Sequence, residues 1–217
     1  MLSAKNIFKS YGDLNILNDV SLKVNEGEII SIVGSSGAGK TTLLQIMGTL
    51  DTPDNGSLEI GGLDPFKLNS KKLADFRNKS IGFIFQSHQL LPEFSAIENV
   101  ILPALIGGYS KPDSFKEAQR LMEIVGIDNR AKHKPSELSG GEQQRVAVCR
   151  ALINNPKIVF ADEPSGNLDS KNAKELHELF FMLRKDLKQT FVIVTHNESL
   201  ANMADNKITI SDGKISL

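Results

Sequence analysis

A glycine-rich segment with a lysine and two threonines is the first feature of the sequence that has the chemistry of a binding site. Residues 34–42 read GSSGAGKTT and fit the spacing G-x-x-x-x-G-K-[ST]. Glycines let the backbone curl so that its N–H groups point at phosphate oxygens, and the start of a following helix adds a favourable dipole. Lys40 is predicted to reach the β- and γ-phosphates of a nucleotide, and the Thr41 hydroxyl to bind Mg²⁺. The predicted phosphate-binding residues are Gly34, Ser35, Ser36, Gly37, Ala38, Gly39, Lys40, Thr41 and Thr42.

Two adjacent carboxylates follow a short apolar run later in the chain. Residues 158–161 have the composition of a buried strand, and Asp162 and Glu163 come directly after them. In proteins with this kind of phosphate loop, an aspartate at a strand end completes the Mg²⁺ shell, which assigns Asp162 as a metal ligand. Glu163 is placed to orient or deprotonate an attacking water, a contribution of about 10²–10⁴-fold. A pair of solvated acids is the alternative, and the phosphate loop earlier in the chain disfavours it.

A second segment rich in serine and glycine lies at residues 138–142, which read LSGGE. It precedes an amphipathic helix predicted over residues 141–153. By itself the segment is typical of a capped helix start. A serine hydroxyl, two glycines and the exposed N–H groups of a helix start also form a cradle for an anion. The sequence therefore contains two phosphate cradles and one predicted Mg²⁺ site.

Composition limits the classes of protein to which the chain can belong. A length of 217 residues predicts one large domain or two closely packed small ones. The 25 Lys and Arg residues balance 26 Asp and Glu residues, so there is no general electrostatic drive toward nucleic acid. Cys149 is alone and is predicted to be buried, and His88, His133 and His177 lack ligand spacing and are predicted to be surface or packing residues. The apolar runs are too short to span a membrane and the N-terminus becomes polar too early for a signal peptide, so we expect a cytosolic protein.

Strand and helix patterns alternate along the chain. Residues 1–33 have strand patterns, and the phosphate loop leads into a helix that ends near residue 47. Further strands are predicted at 57–60, 81–85, 158–161 and 191–195, helices at 96–105, 112–125, 141–153 and 170–187, and turns at 53–56 and at Asp212-Gly213. This order predicts an α/β fold with a parallel sheet and a helical subdomain.

Together these motifs resemble those of the ABC transporter ATP-binding subunits, over essentially the whole chain. LSGGE resembles the signature loop of that family, which is most often LSGGQ. The resemblance implies a RecA-like P-loop NTPase core with an N-terminal antiparallel β subdomain and an inserted α-helical subdomain. It implies one domain of residues 1–217, in which 1–87 and 156–217 form the core with the β subdomain and 88–155 form the helical part. It also implies ATP and Mg²⁺ as cofactors, and a head-to-tail pair of copies in which ATP lies between one phosphate loop and Ser139, Gly140, Gly141 and Glu142 of the other chain.

Four further positions match motifs of the family and take their expected roles from it. Tyr11 resembles the aromatic residue that stacks on adenine, and Gln86 resembles the loop glutamine that contacts Mg²⁺ and water. Asp169 lies in a segment that resembles the loop between the two subunits, and His196 resembles the switch histidine that contacts the γ-phosphate. Asn197 departs from the pattern, because an acid is more usual there. The resemblance thus implies Glu163, His196, Gln86 and Lys40 as catalytic residues, and Thr41, Gln86 and Asp162 as metal ligands.

The resemblance implies a separate membrane permease as the partner, with the chain held peripherally at the cytoplasmic face of the inner membrane. Residues 87–100 follow Gln86, where transporter ATPases receive a helix of the permease. Exposed Leu, Phe and Ile side chains there are predicted to form an apolar docking surface, and an ordinary core helix is the alternative. This stretch and residues 163–169 resemble the ATPases of lipoprotein-releasing transporters. ATPases of macrolide-type export or cell-division control, and a soluble regulatory ATPase, remain alternatives, and no nucleic acid partner is expected.

Overall fold

The computed structural model describes residues 1–216, which form two β-sheets with α-helices packed around them. The strands are β1 Leu2–Tyr11, β2 Leu14–Val24, β3 Ile29–Val33, β4 Asn55–Ile60, β5 Ile81–Phe85, β6 Ile158–Asp162, β7 Thr190–Val194, β8 Asn206–Ser211 and β9 Lys214–Ser216. The helices are α1 Lys40–Met47, α2 Ser70–Ser80, α3 Ala96–Ile106, α4 Lys111–Ile124, α5 Gly140–Leu152, α6 Ser170–Leu187 and α7 Glu198–Met203. The predicted α/β fold is confirmed.

The larger sheet brings the predicted motifs to one edge. Its strand order is β5-β6-β7-β3-β8-β9, and all neighbouring pairs are parallel except the β8–β9 hairpin. Because the carboxyl ends of parallel strands meet at the same edge, the segments that follow β3, β5, β6 and β7 lie close together. These segments carry the phosphate loop, Gln86, Glu163 and His196.

The larger sheet is covered on both faces, which explains why its central strands are continuous apolar runs. Alternate residues of each strand point to opposite faces. On one face Ile30, Phe160 and Val192 pack with α1 and the smaller sheet. On the other face Val159, Phe191 and Ile193 pack with α5 and α6. Two apolar cores therefore hold the sheet edge in place from both sides.

The smaller sheet is antiparallel, with the strand order β2-β1-β4, and matches the predicted β subdomain. At the end of the β1–β2 hairpin Tyr11 pairs with Leu14. Strand β4 begins at Asn55, two residues before its predicted start, because Asn55 already pairs with Phe8 of β1. The hairpin turn at Asp212-Gly213 is confirmed, and residue 217 lies outside the described residues.

Helices α3, α4 and α5 pack against one another and form the predicted helical part. Here one prediction is wrong. Ile97, predicted to be exposed for docking, is only 9% exposed and belongs to the core, because this face of α3 packs on α5. The predicted exposure of Leu and Phe side chains in this stretch is confirmed, because Leu91 and Phe94 are 43% and 38% exposed. Beyond the stretch, Ile106 at the end of α3 is 77% exposed.

Two helices have no counterpart in the sequence-based prediction. Helix α2 has only two large apolar side chains, Leu73 and Phe76, among mostly polar and charged residues, so few apolar positions mark it in the sequence. Its cap, in which the Asn69 side chain accepts from the Lys72 N–H, is a further signal. Helix α7 is only six residues long. Among residues 1–216, none of the helices combines the length and apolar composition that crossing a bilayer requires.

Candidate functional site

The phosphate loop connects β3 to α1 and wraps around the first turn of that helix. Gly39 caps α1 with φ of 100°, and a Cβ there would lie 2.8 Å from the carbonyl oxygen of Ile16, so glycine is required on both counts. The Lys40 ammonium donates hydrogen bonds to the carbonyl oxygens of Gly34 and Ser35, at 2.9 and 2.8 Å. The lysine therefore lies along the loop, with its charge beside the backbone that would surround a phosphate.

A cavity of about 540 Å³ opens at this loop, within the range of small-molecule sites. It is lined by Ile16, Gly34, Ser36, Gly37, Gly39, Lys40, Thr41, Thr42, Gln86, Asp162, Glu163, Val194 and His196. Eleven of these thirteen residues were predicted from sequence motifs. Ile16 and Val194 were not, because a strand pattern does not say which of its apolar side chains faces a distant loop.

Thr41 and Asp162 meet at the bottom of the cavity. The Thr41 hydroxyl donates to Asp162 Oδ1 across 3.5 Å. Burial raises the pKa of Asp162, and the nearby charge of Glu163 acts in the same direction, although the Thr41 hydrogen bond opposes both. A nearby cation would stabilise the charged form of this partly buried carboxylate. Hydroxyl and carboxylate oxygens are the hard ligands that Mg²⁺ prefers, so Thr41 and Asp162 fit that ion.

Glu163 and His196 form a close pair on the opposite side of the cavity. Glu163 Oε2 lies 2.9 Å from His196 Nδ1 and accepts a hydrogen bond from the His196 backbone N–H at 3.2 Å. The Glu163 backbone is left-handed, with φ of 46°, and its N–H donates to the Val194 carbonyl oxygen at 2.9 Å. Such a conformation is uncommon for glutamate and clusters at functional sites, and here it turns the carboxylate from the end of β6 toward His196.

Gln86 is tied to the segment that follows Glu163. Its side-chain amide donates to Asn167 Oδ1 at 3.0 Å, and the Asn167 amide donates back to the Gln86 carbonyl oxygen at 3.2 Å. A Cβ at Gly166 would lie 2.7 Å from Gln86 Nε2, so the two segments are in direct contact. Sequence reasoning did not identify Asn167 as a neighbour of the site, and no local pattern could have, since the two residues are 81 positions apart.

Several predicted site residues lie outside the lining of this cavity: Tyr11, Ser35, Ala38, Ser139, Gly140, Gly141, Glu142 and Asp169. Ser35 and Ala38 belong to the phosphate loop itself. Tyr11 lies at the end of β1, half exposed. The segment 139–142 starts α5 in the helical part of the chain.

The LSGGE segment is a capping box whose glutamate has a second partner. Ser139 Oγ accepts from the Glu142 N–H at 3.3 Å, and Glu142 Oε2 accepts from the Ser139 N–H at 2.8 Å. Glu142 Oε1 accepts from Arg130 Nε at 2.6 Å. The Ser139 backbone hydrogen bond, together with Arg130, holds the pKa of Glu142 below its ordinary value. The glutamate therefore fixes the start of α5 and links it to the preceding segment.

Asp169 and Asn197 cap the helices that follow the segments of Glu163 and His196. Asp169 Oδ1 accepts from the N–H groups of Lys171 and Asn172, and the hydrogen bond from Asn172 lowers the pKa of Asp169. Asn197 Oδ1 accepts from the Leu200 N–H at 3.0 Å. Asparagine caps a helix as well as aspartate does, so the departure at position 197 keeps this function.

A glycine-rich phosphate-loop motif, a threonine–aspartate pair and a glutamate–histidine pair converge on one cavity at the edge of a parallel sheet, and this arrangement is typical of a P-loop nucleoside triphosphatase. The family described as ABC transporter matches residues 17–166, most of the chain. The chain therefore belongs to the ABC transporter family, as its ATP-binding and ATP-hydrolysing subunit.

Relatives and solved structures agree with this assignment along the full length. The chain is 56% identical over 215 residues to the lipoprotein-releasing system ATP-binding protein LolD of Bacteroides thetaiotaomicron, with 99% of each chain covered. It is also 56% identical over 215 residues to the LolD protein of Cytophaga hutchinsonii, covering 99% of this chain and 98% of that one. A dimeric, post-hydrolysis structure of the ATP-binding cassette MJ0796 bound to ADP and Pi superimposes with a TM-score of 0.90 at 38% identity, covering 100% of this chain and 97% of the other. The predicted P-loop fold and ATPase activity are confirmed.

Proposed function

We propose that this chain hydrolyses ATP to power a separate permease that releases lipoproteins from the inner membrane. The observation that carries the proposal is the full-length similarity to proteins named as the ATP-binding subunit of a lipoprotein-releasing system. The chain would act at the cytoplasmic face of that membrane as a peripheral subunit. Its own residues supply the hydrolysis, and the permease supplies the path of the lipoprotein.

Hydrolysis in this proposal divides among three groups of residues. The N–H groups of the phosphate loop and the Lys40 ammonium bind the phosphates and balance their charge. Thr41, Asp162 and Gln86 would hold Mg²⁺, which when bound neutralises charge on the phosphate oxygens. The Glu163 carboxylate orients the attacking water and accepts its proton.

His196 completes the proposed site beside Glu163. Its Nδ1 lies 2.9 Å from the Glu163 carboxylate, so an Nδ1–H would donate to that oxygen, and in the imidazolium form the Nε2–H would also donate to an oxygen of the γ-phosphate. Because a histidine fixed through one ring nitrogen has a defined orientation, the pair holds both side chains ready for the same substrate.

A second copy of the chain would complete the nucleotide site from the other side. Ser139 and Gly140 start α5 but do not line the cavity of their own chain. In a head-to-tail pair the N–H groups of this helix start would face the triphosphate held by the phosphate loop of the other copy. Asp169, which caps α6 in the segment after Glu163, would lie at the same interface. The similarity of the fold to the MJ0796 cassette, whose structure with ADP and Pi is dimeric, supports this proposal.

The permease would dock in a groove that runs past the end of β5. This docking groove, a cavity of about 410 Å³, is lined by Ala74, Arg77, Asn78, Ile81, Gly82, Phe83, Phe85, Gln89, Pro103, Ile106, Arg150, Ala151, Ile153 and Asn154. Arg150 donates to the carbonyl oxygens of Gln89 and His88, at 2.6 and 2.7 Å, and so fixes the segment that follows Gln86. A helix seated in the groove would therefore act on a loop that begins at the nucleotide cavity.

Replacing Ile106 in the docking groove tests the partner surface. Ile106 is 77% exposed, and Ile106→Asp would place a charge where an apolar helix face is expected to dock. We expect the recovery of membrane permease on a tagged chain to fall about tenfold, since a central apolar anchor is worth roughly 1.4 kcal/mol or more. Met203→Asp is the control, because Met203 is 45% exposed on α7 and lies outside the groove. Equal recovery with both variants would place the permease elsewhere.

Mass spectrometry of the proteins that copurify with the tagged chain from mildly solubilised membranes tests the cargo. Two different permease subunits with large extracytoplasmic domains would support lipoprotein release. One self-pairing permease would indicate macrolide-type export or cell-division control. Recovery of soluble partners alone would overturn the transport proposal and leave the ATPase chemistry intact.

A further inference from the structure

A buried lysine lies beneath the tyrosine at the end of β1. Lys9 is 8% exposed, and its ammonium donates to Asp51 Oδ1 at 2.9 Å and to the Thr52 carbonyl oxygen at 2.8 Å. Asp54 is more distant, at 4.0 Å. The same ammonium lies 5.0 Å from the centroid of the Tyr11 ring, within the range of a cation–π contact.

Asp51 binds both the lysine and the tyrosine. Its second oxygen, Oδ2, accepts a hydrogen bond from the Tyr11 hydroxyl at 2.6 Å, a short charge-assisted hydrogen bond. This hydrogen bond, with partial burial, raises the pKa of Tyr11, and the bond to Asp51 raises the pKa of Lys9. Asp51 itself lies four residues after the end of α1, so it connects the helix of the phosphate loop to β1.

These contacts leave the Tyr11 ring with only one free face. Asp51 fixes the hydroxyl end of the ring, and Lys9 covers one side, while the side chain as a whole stays 50% exposed. An exposed tyrosine normally samples several rotamers and loses that freedom when a ligand stacks on it. Here the contacts with Asp51 and Lys9 already restrict the Tyr11 rotamers in the free protein, so ligand binding loses less side-chain entropy.

We propose that Lys9 and Asp51 are positioning residues for the nucleotide base: they hold the Tyr11 ring so that its open face receives the adenine of ATP. This inference rests on the proposed ATPase function and on the stacking of adenine on Tyr11 that the resemblance to ABC transporter ATP-binding subunits implies. The Lys9 ammonium contacts the covered face of the ring, and the Asp51 carboxylate fixes its hydroxyl end.

A purely structural role for the same contacts makes a different prediction. If Asp51 only anchored the end of α1 to β1, its loss would disturb the phosphate loop and weaken every ligand that the loop binds. If it positions Tyr11, its loss weakens only ligands that carry a base. Inorganic tripolyphosphate, which has phosphates and no base, separates the two cases.

The experiment measures binding of ADP and of tripolyphosphate, each with Mg²⁺, to the full chain by titration calorimetry. Asp51→Asn and Lys9→Met remove one charge each with little change of volume. We expect ADP binding to weaken about fivefold in both variants and tripolyphosphate binding to change less than about twofold. The fivefold loss is part of the whole contribution of base stacking, which raises affinity by roughly tenfold to a hundredfold. Asp75→Asn is the matched control, because Asp75 pairs with Lys79 across the same 2.9 Å on exposed α2 with no aromatic partner.

Tyrosine absorbance reports whether the hydrogen bond between Tyr11 and Asp51 is present in solution and lost in the variant. The sequence has two tyrosines and no tryptophan, so a Tyr109→Phe background leaves Tyr11 as the sole chromophore of its kind. Alkaline titration at 295 nm should then show a pKa for Tyr11 above its ordinary value, returning toward about 10 in Asp51→Asn.

The outcomes distinguish this proposal from the function on which it rests. Selective loss of ADP binding together with the lowered Tyr11 pKa would support positioning. Equal weakening of both ligands, or unchanged ADP binding while Tyr11→Ala still weakens it, would overturn positioning and keep the stacking. Unchanged ADP binding in Tyr11→Ala would overturn the stacking itself, and ATP hydrolysis by the same sample would show that the ATPase assignment stands.

Discussion

At the edge of the larger sheet, the side chain of Glu163 lines the nucleotide cavity and also binds the backbone of a neighbouring segment. The left-handed backbone of Glu163 directs its carboxylate to His196, and the same carboxylate accepts the His196 backbone N–H. Asp169 and Asn197, a few residues further along each segment, cap the following helices. These hydrogen bonds fix both segments and hold Glu163 and His196 close together.

The buried histidine of α6 makes the stability of the chain depend on pH. His177 is 4% exposed, its Nε2 lies 3.1 Å from Ser165 Oγ, and burial lowers its pKa. Above about pH 6.5 the residue is neutral in both the folded and the unfolded chain. Below that pH the imidazole of His177 is protonated in the unfolded chain but stays neutral in the folded chain. The free energy of unfolding therefore falls as the pH falls, by at most about 1.4 kcal/mol per pH unit.

Replacing this histidine should flatten that acid dependence. In His177→Met the free energy of unfolding, measured in urea between about pH 7.5 and about pH 5.5, is expected to fall less steeply than in the parent chain. His88, whose pKa burial also lowers, contributes equally to both proteins and cancels in the difference. Parallel curves would contradict the prediction.

At the residue scale the sequence predicted what is contiguous and missed what is distant. Phosphate-loop residues and the pair Asp162 and Glu163 sit in short motifs whose chemistry needs neighbours in sequence. The contacts of Tyr11 with Asp51 span 40 positions and those of Gln86 with Asn167 span 81, so each depends on the tertiary fold. The roles of these residues in catalysis stay predictions.

Among the secondary elements, β5 and α5 pack closely enough that side-chain volume between them is limiting. A Cβ at Gly82 would lie 2.5 Å from the Ala151 carbonyl oxygen and 3.1 Å from Val159 Cγ2. The backbone of Gly82 needs no left-handed conformation, so the close approach alone requires glycine. This contact sets the distance between the large sheet and the helical part, and β5 ends one residue before Gln86.

Gly82→Ala should therefore destabilise the chain. Adding one methyl group forces α5 away from β5, which we expect to lower the free energy of unfolding by about 1–3 kcal/mol in urea denaturation. The shift should also weaken permease binding, since Gly82 and Ala151 both line the docking groove. An unchanged free energy of unfolding would mean that α5 retreats from the sheet without loss.

The sequence predicted an element best where its residues are buried, because burial on both faces produces a continuous apolar run. Strands β3, β6 and β7 are covered on both faces, so their apolar runs predicted them to within a residue or two. Helix α2 escaped prediction because most of its residues are polar or charged and only Leu73 and Phe76 are large apolar side chains. The orientation of α3 was wrong for Ile97, because periodicity identifies an apolar face without saying whether a neighbouring helix covers it.

In the whole molecule, the two phosphate cradles of the sequence lie on different parts of the fold. The phosphate loop, Gln86, Glu163 and His196 share one cavity because they follow parallel strands of one sheet. Ser139 and Gly140 start a helix that packs against α3 and α4, and they do not line that cavity. A single copy therefore offers one half of each proposed site, and a head-to-tail pair would supply two complete ones.

Glu163→Gln should stop the reaction after this pair has closed. The amide keeps the shape of the carboxylate but accepts no proton from water, so hydrolysis is expected to fall about 10²–10⁴-fold while ATP binding is kept. With ATP and Mg²⁺ the variant should elute as a dimer by light scattering, because the closed state is no longer consumed. Glu198→Gln changes a residue of α7 that forms an ion pair with Lys207 of β8, and this variant should hydrolyse ATP like the parent chain.

Gly140→Asp in the Glu163→Gln background tests which surface forms the dimer. A Cβ at Gly140 meets only Leu168 within its own chain, at 3.6 Å, so the fold should accept the substitution. An added carboxylate at the start of α5 would repel the triphosphate of the other copy, and we expect ATP-dependent dimers to disappear while each monomer still binds ATP at its own phosphate loop. Dimers that persist in this double variant would mean that the copies associate through some other surface, whereas monomers with ATP bound would tie dimer formation to the LSGGE segment.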